Sequence, residues 1–327
     1  MNTRKRLSFA LLTVLLIVGL IEGALHIGGY GSAQPPDILG WRMHLNAQNH
    51  SLTDPQNDNT FVVNTNSDGL RTSIQRDKPP QLMRVAIMGD STVFGWGVDD
   101  PDTMGVQLQE KLKASNPMGK DEVEVLNAGQ PGYSTVQVFK IFEDTVQHYK
   151  PDWTIVFPSF HDDRPALVSD WEMLRHIKWS RVLGVFLARH SKIYHYLYRT
   201  FKGPISNDVS EDGFQSDIVR VNAQERSEVI RSMETLANQW GGRVMLAAMI
   251  FGKDIQRDKR VAKDYPMWNW MKEFSKVNPS ISILDLRLCC HGGTQSYTIP
   301  GDPGHLNAIG NEKMAECIAE QWHPNRD

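Results

Sequence analysis

From Met83 onward, short runs of consecutive apolar residues alternate with stretches whose apolar positions recur every three or four residues. An unbroken apolar run reads as a strand buried on both faces, and the three-to-four spacing reads as an amphipathic helix. The runs predict strands at Met83–Met88, Glu122–Leu126, Trp153–Phe157, Arg243–Met249 and Ile281–Leu286. Helices are predicted at Thr103–Ala114, Thr135–Tyr149, Ala223–Trp240, Trp268–Val277 and about Ala308–Trp322. Buried strands separated by helices imply a five-stranded parallel sheet wrapped on both faces, so the expected fold class is α/β with three α/β/α layers.

Two regions break this rhythm. Residues 164–222 form an insertion in which Trp171–Phe201 reads as helical and Gly203–Ser216 as a loop. Its aromatic residues Trp171, Trp179, Phe186, Tyr194, Tyr196 and Tyr198 are expected to make the insertion's own core. Residues 34–80 are rich in Pro, Asn, Asp and Gln and read as a linker with a short extension packed on the main domain. Within it Phe61-Val62-Val63 reads as a strand and Asn66–Arg71 as a turn, with Asp68-Gly69 supplying a positive φ. The organisation expected is therefore an N-terminal segment (1–30), a linker and extension (31–80) and one main domain (81–327).

The N-terminal segment has its own pattern. Arg4-Lys5-Arg6 precedes an uncharged apolar run of 15 residues from Leu7 to Ile21, and apolar residues resume after Glu22. The run suits a signal-peptide core, whereas a spanning helix usually needs about 20 residues. The resumption after Glu22 favours an uncleaved signal anchor, since Gly31-Ser32-Ala33, the small-residue cleavage pattern, lies far beyond the apolar core. Basic residues before the segment would keep the N-terminus in the cytoplasm. Anchored or cleaved, the remainder is expected outside the cytoplasm, periplasmic or extracellular, with the membrane as a partner.

Composition narrows the remaining classes. A 40% hydrophobic and 22% charged composition is that of a globular chain. With a net charge of -3 and no basic stripe interleaved with aromatic residues read along the chain, no nucleic-acid partner is expected. Cys289, Cys290 and Cys317 match no zinc or CxxC spacing. The adjacent pair cannot readily bond to itself. Either member could bridge to Cys317, or the thiols could stay free and buried.

Candidate chemistry lies where the predicted strands end. The first strand runs into Gly89-Asp90-Ser91, the second into Asn127-Ala128-Gly129-Gln130-Pro131-Gly132-Tyr133-Ser134, and the third into Ser159-Phe160-His161-Asp162-Asp163. A parallel sheet would bring these three segments to one edge. Asp302-Pro303-Gly304-His305 places a carboxylate and an imidazole three residues apart, on one loop before the last helix. Ser91 could act as a nucleophile or simply cap the helix that follows.

Taken together, these blocks resemble the SGNH (GDSL-type) hydrolase superfamily, in order, from Met83 to about Trp322. Met88-Gly89-Asp90-Ser91 matches the nucleophile block, Asn127 to Ser134 the second block and Asp302-Pro303-Gly304-His305 the Asp-x-x-His block. Phe94-Gly95-Trp96-Gly97-Val98 and Asn66–Arg71 resemble an exported or membrane-anchored subgroup. The resemblance implies a flavodoxin-like fold and a Ser91–His305–Asp302 triad. It also implies an oxyanion hole built from the Ser91 and Gly132 backbone N–H groups. No cofactor is expected. The third block departs from the family pattern of glycine, any residue, asparagine, aspartate: Ser159, Phe160, His161 and Asp162 stand there instead. His161 is read as the substitute donor, dependent on its tautomer and on pH. His161, Asp162 and Asp163 also invite a metal reading with Asp302 and His305, but adjacent residues rarely aim at one ion, and no metal is expected. The function implied is hydrolysis of acyl esters, with O-acetylated glycans as the polar substrate class suggested by analogy. Acyl transfer by the same residues and a non-catalytic binding protein on the same fold are the alternatives.

Overall fold

The computed structural model describes residues 3–28, 36–37, 40–41, 43, 45–115, 122–177, 179–202, 216–249, 265–290 and 296–322. The segment Gly31-Ser32-Ala33 and all but the last residue of the expected loop Gly203–Ser216 lie outside them. Helix α1 (Thr3–Ile27) is followed by two hairpins, β1 (Pro36–Asp37) with β2 (Gly40–Trp41) and β3 (His50–Thr53) with β4 (Thr60–Val63). Then come β5 (Leu82–Met88), the single turn α2 (Ser91–Phe94), α3 (Met104–Ser115), β6 (Glu122–Asn127), α4 (Thr135–Asp144) and β7 (Trp153–Val156). The helices α5 (Asp170–Arg175), α6 (Trp179–His190) and α7 (Lys192–Lys202) precede α8 (Ala223–Ala237) and β8 (Arg243–Ala248). The chain closes with α9 (Pro266–Val277), β9 (Ser282–Asp285), β10 (Thr298–Ile299), β11 (Asp302–Leu306) and α10 (Ala308–Gln321).

The central sheet has five strands in the order β6-β5-β7-β8-β9, and every pairing in it is parallel. Strand β5 is buried at every position because both of its faces are covered. Val85 and Ile87 point into a core with Met104 and Leu108 of α3 and Met314 and Ile318 of α10. Ala86 and Met88 point the other way, into a core with Phe139 of α4, Val229 of α8 and Met271 of α9. This two-residue alternation produces three layers, α/β/α. Arg84 also lies in β5 yet is buried. Its guanidinium is held by Glu124 at 2.7 Å and the Tyr149 carbonyl at 2.8 Å.

The strands match the sequence pattern to within a residue or so, but Phe157 and Met249 fall just outside them. The single helix expected over Thr135–Tyr149 is divided. Ser134 and Gln137 form a capping box at its start, and α4 stops at Asp144 before a 3₁₀ turn at Val146–Tyr149.

Larger differences lie in the insertion. Trp171–Phe201 is helical as expected, in three helices, but its described aromatic side chains do not form a separate core. Trp171 packs edge-on against Phe139 of α4, within the main core, and its indole N–H donates to Glu228. Trp179, Phe186 and Tyr196 are instead exposed, at 85%, 55% and 50%. Amphipathic spacing shows which face is apolar but not what will cover it.

Outside the sheet, the β3–β4 hairpin builds a small third core. Phe61 and Val63 pack there with Met43 and with Phe94 of α2. Cys289 is bonded to Cys317, tying the segment after β9 to α10, while Cys290 stays a buried thiol. That resolves the choice left open by the sequence.

Candidate active site

In the strand order found here, the second strand lies on one side of the first and the third on the other. Such sheets carry their ligand crevice at the carboxyl ends where the order reverses, between β5 and β7. Ser91 leaves β5 at this point. Asp90 is the cap of the α2 turn, its carboxylate accepting from the Thr92 N–H at 3.1 Å. Capping is therefore not the job of Ser91, the first helical residue. Gly95 ends the turn at φ 83°, a conformation that suits glycine.

Asp302 and His305 lie on β11, a short strand paired antiparallel with β10, and not on the loop expected from their spacing. The Gly304 N–H donates to Asp302 Oδ1 at 2.9 Å, leaving Oδ2 to the imidazole. His305 Nδ1 is 2.5 Å from Asp302 Oδ2, and its Nε2 is 2.8 Å from Ser91 Oγ. A carboxylate only accepts, so Nδ1 carries the hydrogen and Nε2 is left to accept from the serine hydroxyl. Ser91 and Asp302 are buried and His305 is half-buried, with the Trp96 ring centroid 6.3 Å from its own.

The loops around this chain of contacts are fastened to one another. Asp90 Oδ2 accepts from the Ser159 hydroxyl at 2.9 Å, and Ser159 Oγ accepts in turn from the His161 N–H at 3.0 Å. Burial pushes the Asp90 carboxyl above its ordinary range, against the lowering effect of the Thr92 and Ser159 donors. On the other side, Gly129 passes so close to α2 that a Cβ there would meet the Phe94 nitrogen at 2.2 Å. Only glycine allows that approach. Gly132 follows with φ 74°. Among the described residues, neither its N–H nor that of Ser91 donates to a protein acceptor.

His161 lies beyond β7, buried, its ring tilted against that of Phe160 with centroids 4.1 Å apart. Its neighbours diverge. Asp162 turns inward, accepting from the Thr135 N–H, the Thr135 hydroxyl and Arg226 Nε, each at 2.7 Å. Asp163 is largely exposed, 3.5 Å from Arg226. The three side chains do not converge as ligands would, and among the described residues no group of three or more His, Cys, Asp or Glu could hold a metal.

No protein-family model matches the chain, and no curated protein matches it. Solved structures similar to it include a putative lipolytic protein of the G-D-S-L family from Desulfitobacterium hafniense, at 14% identity and TM-score 0.43, covering 73% of this chain and 98% of that one. A catalytic mutant of an acetylxylan esterase from Geobacillus stearothermophilus is 12% identical with TM-score 0.45, covering 75% and 95%. A lipase/acylhydrolase from Enterococcus faecalis is 16% identical with TM-score 0.45, covering 73% and 94%.

Several residues that shape the site escaped the sequence reading. Arg71 directs its guanidinium into the loop after Ser91. It donates to the carbonyls of Phe94 (3.2 Å), Gly95 (2.7 Å) and Val98 (2.7 Å), and to that of Val62 in β4 (3.0 Å). Its Nε meets Asp100 at 2.7 Å. The Asn66–Arg71 turn forms as expected, with Gly69 at φ 72°, but its purpose is to deliver Arg71. Arg220 likewise holds the Gly132 carbonyl at 3.1 Å and the buried Asp170 at 3.0 Å. For Arg71 the signals were the turn before it and the resemblance of Asn66–Arg71 to an exported subgroup, neither of which showed what its guanidinium holds. Arg220, Arg226 and Asp170 gave none, because their partners lie tens of residues away.

Proposed function

We propose that the protein is an exported hydrolase of acyl esters in which Ser91 is the nucleophile, His305 the general base and acid, and Asp302 the carboxylate that orients the imidazole. The observation that carries this reading is the unbroken hydrogen-bonded chain from Asp302 through His305 to the Ser91 hydroxyl. As Ser91 Oγ attacks the ester carbonyl, His305 Nε2 takes its proton, and Asp302 stabilises the imidazolium that forms. Charge then develops on the carbonyl oxygen. The Ser91 and Gly132 N–H groups, both without a protein acceptor among the described residues, are the donors assigned to it, with the His161 ring as a third. Collapse expels the alcohol, which takes its proton from His305, and water repeats the sequence to free the acid.

Within this reading the substrates are polar esters such as O-acetylated glycans, with Trp96 offering a flat apolar face beside the base. Helix α1 holds the chain in the membrane and the main domain works outside the cytoplasm. The apolar stretch Ser8–Ile27, 20 residues at mean hydropathy 2.3 and unburied, supports that placement.

A fluorophosphonate probe tests the central assignment. It should label the full-length chain and leave Ser91→Ala unlabelled, with acetyl-ester turnover lost in the same variant. Comparable labelling and turnover in Ser91→Ala would overturn the serine mechanism.

A further inference from the structure

Glu22 stands inside the otherwise apolar stretch of α1, five residues before its end at Ile27. At a rise of about 1.5 Å per residue its Cα lies roughly 7–8 Å from that end. Its carboxylate does not face solvent alone. Oε1 accepts from the Lys192 N–H at 2.5 Å, and Oε2 accepts from the Ile193 N–H and the Ser191 hydroxyl, both at 3.0 Å. These are the first groups of α7, whose opening N–H groups have no partner within their own helix. A carboxylate at the margin of a hydrocarbon layer is tolerated when donors surround it. His26 of the same helix stands 3.2 Å from Oε1, and the remaining partners come from the insertion, so α7 begins against the outer end of α1.

Helix α6, joined to α7 through Ser191, turns two different faces outward and inward. Trp179, Leu183 and Phe186 follow the i, i+4, i+7 spacing of one stripe and are 85%, 54% and 55% exposed. Gly184, Val185 and Ala188 lie on the opposite side and are buried. Leu197 and Tyr196 of α7 are exposed as well. The segment from Arg175 to Lys202 contains seven lysines and arginines and no acidic residue. The whole-chain charge of -3 conceals this basic, aromatic-rich stretch.

We infer that the α6–α7 hairpin is a second membrane-contact element, lying in the outer interface of an anionic bilayer beside α1 and tied to it through Glu22. A basic helix with Trp, Leu and Phe on one face is the type that seats its apolar side at the headgroup–acyl boundary. The lipid-facing surface of α1 continues onto it at the Glu22 contact. The bilayer would thereby hold the main domain at a defined height and orientation, where a single flexible tether would leave it free. This rests on α1 being seated in a membrane, and the test separates the two statements.

Full-length protein is reconstituted into vesicles containing phosphatidylglycerol, with unlabelled or brominated acyl chains, and its flotation and tryptophan emission are measured. Wild type and Trp179→Phe should both float. Brominated lipid should quench wild-type emission, and Trp179→Phe should lose most of that quenching, because the other described tryptophan side chains are buried or partly buried. Ester turnover should be the same in both. Glu22→Ala should still float but show weaker quenching at Trp179, and unchanged quenching would remove Glu22 as the tie. A chain that stays in the aqueous fraction overturns both the anchor and the hairpin contact. Floating protein whose quenching is identical with and without Trp179 overturns the hairpin contact alone. So does a Trp179 emission that responds to added nucleic acid and not to lipid.

Discussion

His161 stands where the superfamily that the motifs resemble has asparagine. Under the proposed function its ring donates to the oxyanion alongside two backbone N–H groups. His161→Ala should then lower the chemical rate on the order of 10²–10³, the usual cost of one lost donor. His161→Asn should recover much of that rate. Unchanged turnover in His161→Ala would leave the hole to the backbone. Ser159 has a different part, since its hydroxyl joins Asp90 to the His161 backbone, a link that a glycine could not make. Cys290 carries a residue-scale expectation of its own. Burial pushes its thiol up to about 12, so the reactive thiolate is absent at ordinary pH. In mass spectra, native protein treated with iodoacetamide at pH 8 should show no alkylated Cys290. Rapid labelling there would contradict the burial.

Among the elements, the loop after α2 depends on a side chain from outside the main domain's sheet. Arg71 gathers carbonyls from that loop and from β4 around one buried guanidinium, so the β3–β4 hairpin and the nucleophile turn are joined through it. Burial draws its pKa down from the usual arginine value while Asp100 supports the charge. Arg71→Ala would leave several buried acceptors without donors. The expected loss is on the order of 3 kcal/mol in unfolding stability, with a larger loss of ester turnover than of fold. Chemical denaturation and kcat measured together would check both. The Cys289–Cys317 bond closes a 28-residue separation between the segment after β9 and α10. A loop of that size is stabilised by about 3 kcal/mol when cross-linked. Reductant should therefore lower the melting temperature of wild type and of Cys290→Ala, whereas Cys289→Ala should be lower from the start and insensitive. Sensitivity persisting in Cys289→Ala would mean that Cys290 is the bonded partner.

For the molecule as a whole, the proposed function requires a sheet-based site to be held relative to a membrane. Helix α1 is exposed along its apolar length and meets the main body through the start of α7. Full-length protein is expected to remain with membranes through high-salt and alkaline carbonate washes. A soluble mature chain starting near Gln34 would show cleavage and remove the anchor.

The sequence by itself determined the layers. Strand and helix patterns are set by spacing within some ten residues, so β5 to β9 could be read to within a residue or so, and with them the parallel sheet. It also nominated Ser91, Asp302 and His305, because short motifs at strand ends are local too. Only the tertiary structure decided the pairings. Which cysteine meets Cys317, which carbonyls Arg71 gathers and which carboxylate Arg226 neutralises all depend on groups far apart in the chain, and no local period encodes them. The same limit explains the insertion. Its aromatic residues were legible as apolar, but whether protein or another phase covers Trp179 and Phe186 is a property of the assembled fold.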